Sequence, residues 1–88
     1  MTGVGTVTLL YFAWVREKVG VGTEQVELDG PMTVGALIEG LAGLSGGHGA
    51  ALADRGRLRA AVNQDFVGWD AVVQPGDEVA IFPPVTGG

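Results

Sequence analysis

Eighty-eight residues make one small domain with no room for a second core, and a chain of this size buries only about 60–65% of its unfolded surface. Hydrophobic residues make up 47% of the sequence against 17% charged, which excludes a disordered chain. Ten acids against five bases give a net charge of −5, the wrong sign for nucleic-acid binding through phosphates, and the lack of cysteine excludes disulfides, thiolate metal sites and a thiol nucleophile. No apolar run approaches the roughly 20 residues of a bilayer span, so no membrane role is expected. The N-terminus lacks the basic and apolar regions of a secretory signal, and the cytoplasm is the expected compartment.

Val7-Thr8-Leu9-Leu10-Tyr11-Phe12 is β-branched, apolar and aromatic, and reads as a strand. Ala13 to Val19 reads as a short helical turn ending at Gly20, and Thr23 to Leu28 as a half-exposed strand antiparallel to the first. Asp29-Gly30-Pro31 breaks the chain, and Thr33 is suited to cap a helix. Val34, Leu37, Ile38, Leu41 and Leu44 follow the spacing of an amphipathic helix whose glycines make it depend on packing against a sheet. Ser45-Gly46-Gly47 ends that helix, and residues 48–56 hold at most a second, weaker one around Ala50 to Ala53.

Leu58 to Val62 and Phe66-Val67 are strand candidates on either side of an Asn63-Gln64-Asp65 turn. Pro75-Gly76 marks another turn, Glu78 to Phe82 the last strand, and Pro83-Pro84 its stop. The order β-β-α-β-β predicts an α+β domain of the β-grasp (ubiquitin-like) kind, with a mixed sheet of four to five strands packed on one main helix. The expected division is a domain over residues 1–82 and an extended tail over 83–88.

The tail is the chemically informative part. Pro83-Pro84 favour an extended path, Val85 and Thr86 continue it, and Gly87-Gly88 have no Cβ, so the end fits a narrow channel. A carboxylate at Gly88 is a poor acyl donor until it is activated. Adenylation by a partner holding ATP creates a good leaving group, and a sulfur nucleophile displacing AMP leaves a thiocarboxylate, largely ionised at neutral pH. This chemistry lets a cysteine-free chain carry reactive sulfur. Terminal glycines also occur in frayed ends, so the pattern alone leaves both readings open.

Ala61-Val62-Asn63-Gln64, Gly76-Asp77-Glu78-Val79-Ala80 and Phe82-Pro83-Pro84-Val85-Thr86-Gly87-Gly88 resemble the small subunits of molybdopterin synthase, the MoaD family. Leu10-Tyr11-Phe12-Ala13, Val15-Arg16-Glu17 and Gly20 match that family's opening, so the resemblance runs from Val7 to Gly88, weakest over residues 44–57. It implies a sulfur carrier for the dithiolene of molybdopterin, not an enzyme alone, with no stably bound cofactor. The implied partners are an E1-like adenylating enzyme (MoeB type) using ATP, a sulfurtransferase, and the large synthase subunit (MoaE type). Gly88, with Gly87, would be the reactive end.

Strand parity adds a docking surface. Val79 and Ile81 share one face of the last strand, and Glu78, Ala80 and Phe82 the other; Phe12 has the parity of Thr8. Phe12, Phe66 and Phe82 are therefore candidates for an exposed aromatic patch beside the tail, with core packing as the alternative for each. The resemblance gives these three, with Arg16, an interface role, and makes Pro83, Pro84, Val85 and Thr86 the inserted arm. His48 is expected in a glycine-rich loop with no metal role, Trp14 and Trp69 in packing, and Gly43 to Gly49 lack the ending of a phosphate loop. Two other functions stay open: a carrier for thiamine thiazole synthesis, and a β-grasp interaction module without acyl chemistry.

Overall fold

The structure, a computed structural model, describes residues 5–84. Strand β1 (Gly5–Tyr11) alternates strictly, with Val7, Leu9 and Tyr11 buried. It pairs antiparallel with β2 (Thr23–Leu28), Val7 opposite Val26. Between them lies α1 (Ala13–Val19), closed by Gly20 at φ 102°, whose N–H returns to the Arg16 carbonyl. That left-handed cap is open to glycine at no steric cost.

A two-residue strand β3 (Met32–Thr33) leads into α2 (Val34–Ala42), where the Thr33 hydroxyl accepts the Ala36 N–H at 3.1 Å, the cap expected from sequence. Val34, Leu37, Ile38 and Leu41 are buried, each of the larger side chains contributing about 1.5–3 kcal/mol. Leu44 departs from the expected stripe: α2 stops at Ala42, and Leu44 is 57% exposed.

The second helix is fuller than its glycines foretold. α3 (Gly46–Leu52) starts at Ser45, whose hydroxyl accepts the His48 N–H, and buries Ala51 and Leu52. Gly47 permits a close approach to α1, since a Cβ there would sit 2.4 Å from the Lys18 carbonyl oxygen. A 3₁₀ turn (Arg55–Arg57) then leads to β4 (Arg59–Val62), β5 (Asp65–Val67), β6 (Val72–Val73) and β7 (Glu78–Phe82).

The main sheet has the strand order β2-β1-β7-β4-β5, and β3 pairs with β6 in a separate two-stranded ribbon. β1 and β7 run parallel at the centre, and the other pairs are antiparallel. One face of the sheet carries Val7, Leu9, Tyr11, Val79 and Ile81 into a core shared with Val15, the α2 stripe, Leu52, Leu58 and Val73. This is the β-grasp arrangement of a mixed sheet on a main helix.

The motifs Asn63-Gln64 and Gly76-Asp77-Glu78 meet at one end of the sheet. Asn63 and Gln64 have φ of 50° and 74°, a tight turn joining β4 to β5. The Asn63 amide donates to Asp77 Oδ1 at 3.0 Å, its carbonyl oxygen accepts the Glu78 N–H at 3.0 Å, and Asp77 Oδ2 accepts the Gln74 N–H at 2.9 Å. Replacing Asn63 by Ala removes two of these bonds and the side chain best suited to positive φ. Asn63→Ala should cost about 1–3 kcal/mol in denaturant unfolding; unchanged stability would show that the turn does not depend on this network.

Candidate functional site

The aromatic residues gather at the end of β7. Phe66 on β5 is 81% exposed, and its ring lies 5.6 Å from that of half-buried Phe82, the planes tilted by 42°. Register explains the contact. Ala61 on β4 stands opposite both Phe66 on β5 and Ala80 on β7, while Arg59 stands opposite Phe82. The two small alanines leave space for the rings on the face away from the core. Arg59, Ala60, Phe66, Val67 and Phe82 line a cavity of about 220 Å³ there.

Phe12 is 48% exposed and follows β1 directly, its N–H donating to the Ile81 carbonyl at 3.2 Å, so that its backbone runs beside Phe82. Ala13 then takes φ 55°, a left-handed conformation costing a non-glycine residue about 1–2 kcal/mol. The corner ends the strand and starts α1 within one residue, leaving Phe12 extended outside the helix. Arg16 is exposed one turn along α1, its N–H donating to the Phe12 carbonyl at 3.3 Å and its Nε passing 3.2 Å from where a Cβ on Gly22 would stand. It lines a shallow cleft with Ala13, Glu17 and Gly20 that shares no lining residue with the Phe66–Phe82 cavity. Pro83 and Pro84 are half-buried after β7, whereas Val85, Thr86, Gly87 and Gly88 lie outside the described residues.

Two arrangements are absent from the expectations above. Arg57 places its guanidinium 5.0 Å from the centre of the Trp14 ring, a cation–π contact between the 3₁₀ turn and α1. His48 is not in a loop: it lies in α3, only 9% exposed, inside a polar chain. Its Nε2 is 2.6 Å from Glu24 Oε2, its Nδ1 is 2.7 Å from the Ser45 hydroxyl, and the Tyr11 hydroxyl donates to the same Glu24 oxygen at 2.7 Å. Glu24 has the parity of Val26 and Leu28, which turns it toward the core side, and Ser45 stands three residues before His48, as in a capping box. Those two spacings are the signals in the sequence that locate the chain of bonds.

Burial alone would push the Glu24 carboxyl up, but the hydrogen bonds from His48 and Tyr11 and the charge of His48 outweigh it and hold it below the usual carboxylate value. Tyr11 is pushed well above the ordinary phenol value, first by burial and then by its bond to Glu24.

A family model described as the ThiS family matches residues 9–88. The molybdopterin synthase sulfur carrier subunit of Escherichia coli (strain K12) is 50% identical over 82 residues, which span 93% of this chain and 99% of that protein. The crystal structure of small archaeal modifier protein 1 of H. volcanii superposes with a TM-score of 0.75 at 29% identity, covering 92% of this chain and 99% of that one. The fold alone is shared with a protein–protein complex of subunits 1 and 2 of molybdopterin-converting factor from Helicobacter pylori, at a TM-score of 0.65, 20% identity and coverage of 94% and 99%. The fold and these matches define a ubiquitin-like β-grasp protein of the ThiS family. Within that family the chain belongs to the molybdopterin synthase sulfur carrier subunits.

The buried polar chain predicts a pH profile. Because the folded Glu24 carboxyl is held low, its contribution is present above the ordinary carboxylate value of 4.5 and is lost as the pH falls through the folded value. Tyr11 acts at the other end: its contribution is full below the ordinary value of 10.0 and is lost as the pH rises beyond it. In urea melts across pH, Glu24→Gln should be destabilised at neutrality and lose less stability than wild type on acidification. Tyr11→Phe should remove part of the alkaline loss. Parallel wild-type and variant profiles would show that these bonds carry no pH dependence.

Proposed function

We propose that the chain works as the sulfur-carrying subunit in molybdenum cofactor biosynthesis, with the Gly88 carboxylate as the group that is loaded and unloaded. The observation that carries this reading is the 50% identity to the E. coli sulfur carrier subunit across 99% of that protein, joined to a family match that runs through Gly88. One carboxylate oxygen attacks the α-phosphorus of ATP held by an E1-like activating enzyme, and pyrophosphate leaves. A sulfurtransferase persulfide attacks the resulting acyl adenylate and displaces AMP, and a thiol then reduces the acyl disulfide to the thiocarboxylate. The ATP belongs to the activating enzyme, and the reading requires no cofactor held by this chain.

Delivery takes place in a large synthase subunit. A second subunit accompanies this fold in the H. pylori complex, which supports such a partner here. Phe12, Phe66 and Phe82 dock on it, an exposed apolar surface at the end of β7 where the chain leaves the sheet. Pro83, Pro84, Val85 and Thr86 form the arm that carries Gly87-Gly88 inward. Arg16, on its separate cleft, serves as a peripheral contact.

Incubation with ATP, a MoeB-type enzyme and a sulfur donor should raise the intact mass by the exchange of one oxygen for sulfur. No shift with a demonstrably active partner would defeat the carrier reading. Deleting Gly88 should leave the melting curve unchanged and abolish molybdopterin formation in reconstitution; retained synthesis would remove the tail from the mechanism. Phe82→Ala should weaken binding to the large subunit on the order of tenfold or more while lowering stability only slightly. The reverse ranking in titration and melting data would make Phe82 a packing residue.

A further inference from the structure

We propose that Arg57 and Arg59 form a cationic rim that pairs with carboxylates on the protein covering the Phe66–Phe82 cavity. The inference rests on the reading of that face as the docking surface and adds the chemistry of what lands there. Of the five basic residues in this acidic chain, three fall within residues 55–59. Arg55 is engaged by Glu39, its Nη2 lying 3.7 Å from Oε2. Arg57 and Arg59 are exposed, and among the described residues neither has a carboxylate within 4.0 Å.

Both guanidiniums are held in place without one. Arg57 lies over the Trp14 ring, and Arg59 donates through Nη1 to the Leu58 carbonyl at 2.8 Å. Side chains ordered in advance lose less entropy when a partner arrives. Their position follows from the strand order. Phe12 runs beside Phe82, and Phe82 stands opposite Arg59, so three adjacent strands present aromatic, aromatic and guanidinium in one row. Trp14 comes two residues after Phe12 and Arg57 two before Arg59, which brings their stacked pair to the same end of the sheet.

Charge complementarity selects the occupant. In a chain with a net charge of −5, the rim beside the apolar cavity is a local cluster of positive charge where a partner's carboxylates gain by approaching. Rim charges of this kind act on orientation and association rate more than on the final affinity. Two free guanidiniums do not overcome the overall charge for a polyanion such as nucleic acid. The occupant is therefore a protein surface that offers an apolar side chain to the cavity and carboxylates beside it.

The test is association of the full chain with the large synthase subunit, measured by stopped flow from low to high ionic strength. Wild type should associate more slowly as salt rises. R57Q/R59Q should be slowed roughly tenfold or more at low salt and show a flatter salt dependence, R57E/R59E should be slower still, and R57K/R59K should retain most of the rate. Phe82→Ala should instead raise the dissociation rate and keep the wild-type salt dependence. Should R57E/R59E match wild type in rate and salt dependence while Phe82→Ala weakens binding, the rim is overturned and the docking face stands. If wild type fails to bind the large subunit at all, the docking reading falls and takes the rim with it. A single-stranded oligonucleotide that binds wild type and not R57Q/R59Q would overturn the acidic protein as occupant. Should the Glu pair fail to fold by circular dichroism, the Gln pair decides.

Discussion

The parallel pairing of β1 with β7 joins the first and last strands in the middle of the sheet, Leu9 opposite Val79 and Tyr11 opposite Ile81. The bond from the Phe12 N–H to the Ile81 carbonyl carries that pairing one residue further. Parallel neighbours end at the same edge, so Phe12 and Phe82 leave the sheet together and the following Pro83 starts from that edge. Because every residue of β7 alternates sides, burial of Val79 and Ile81 obliges Ala80 and Phe82 to face outward. The aromatic surface is thus a consequence of how the core is filled. A one-residue slip would bury Glu78 and Phe82 and expose Ile81, so core packing itself fixes which face the aromatic rings occupy.

Polar side chains reinforce the two regions away from that face. Asn63 and Asp77 bind the β4–β5 turn to the start of β7, which gives the Asn-Gln and Gly-Asp-Glu motifs a structural role at the end of β7 away from Phe82. Gly76, at φ 98°, supplies the left-handed residue that the turn into β7 requires. The chain Tyr11–Glu24–His48–Ser45 ties β1 and β2 to the start of α3, and the close pass of Gly47 over Lys18 seats α3 on α1. The residues that most resemble catalytic groups, a serine, a histidine and a glutamate in hydrogen-bonding sequence, hold the scaffold together.

Local signals made much of the fold legible. β7 is bounded by Pro75-Gly76 before it and Pro83-Pro84 after it, and its observed span matches the expected one at both ends. Thr33 starts α2 as its side chain dictates. Leu44 kept the helical spacing yet fell outside, because the chain ends α2 at Ala42 and recaps at Ser45 only three residues later. α3 was underestimated on propensity, since Gly46, Gly47 and Gly49 disfavour helix, and the cap and the burial of Ala51 and Leu52 overcome that cost. β3 and β6, two residues each, are too short to show any periodicity. The outward faces of Phe12 and Phe82 followed from parity, but the approach of Phe66 depends on the β4–β5 register, which the positive φ of Asn63 and Gln64 fixes. Arg57 over Trp14 joins distant segments and leaves no local trace.

On the proposed function, one small face must serve in turn an activating enzyme and a large subunit, with sulfur loaded in between. Two partners cannot occupy Phe66 and Phe82 together, so the carrier must leave the first before it meets the second. Very tight docking would then slow the cycle, and the balance between association and release matters more than depth of binding. A shallow aromatic cavity of about 220 Å³ suits that demand, because it provides anchors without a large buried area. Charge at the rim speeds encounter without prolonging residence to the same degree, which is what a shuttling carrier requires. Discrimination between loaded and unloaded states then falls to the tail. On that reading a carboxylate and a thiocarboxylate differ at one atom of Gly88, six residues past Phe82 in the sequence, so the group that receives the tail is what tells them apart.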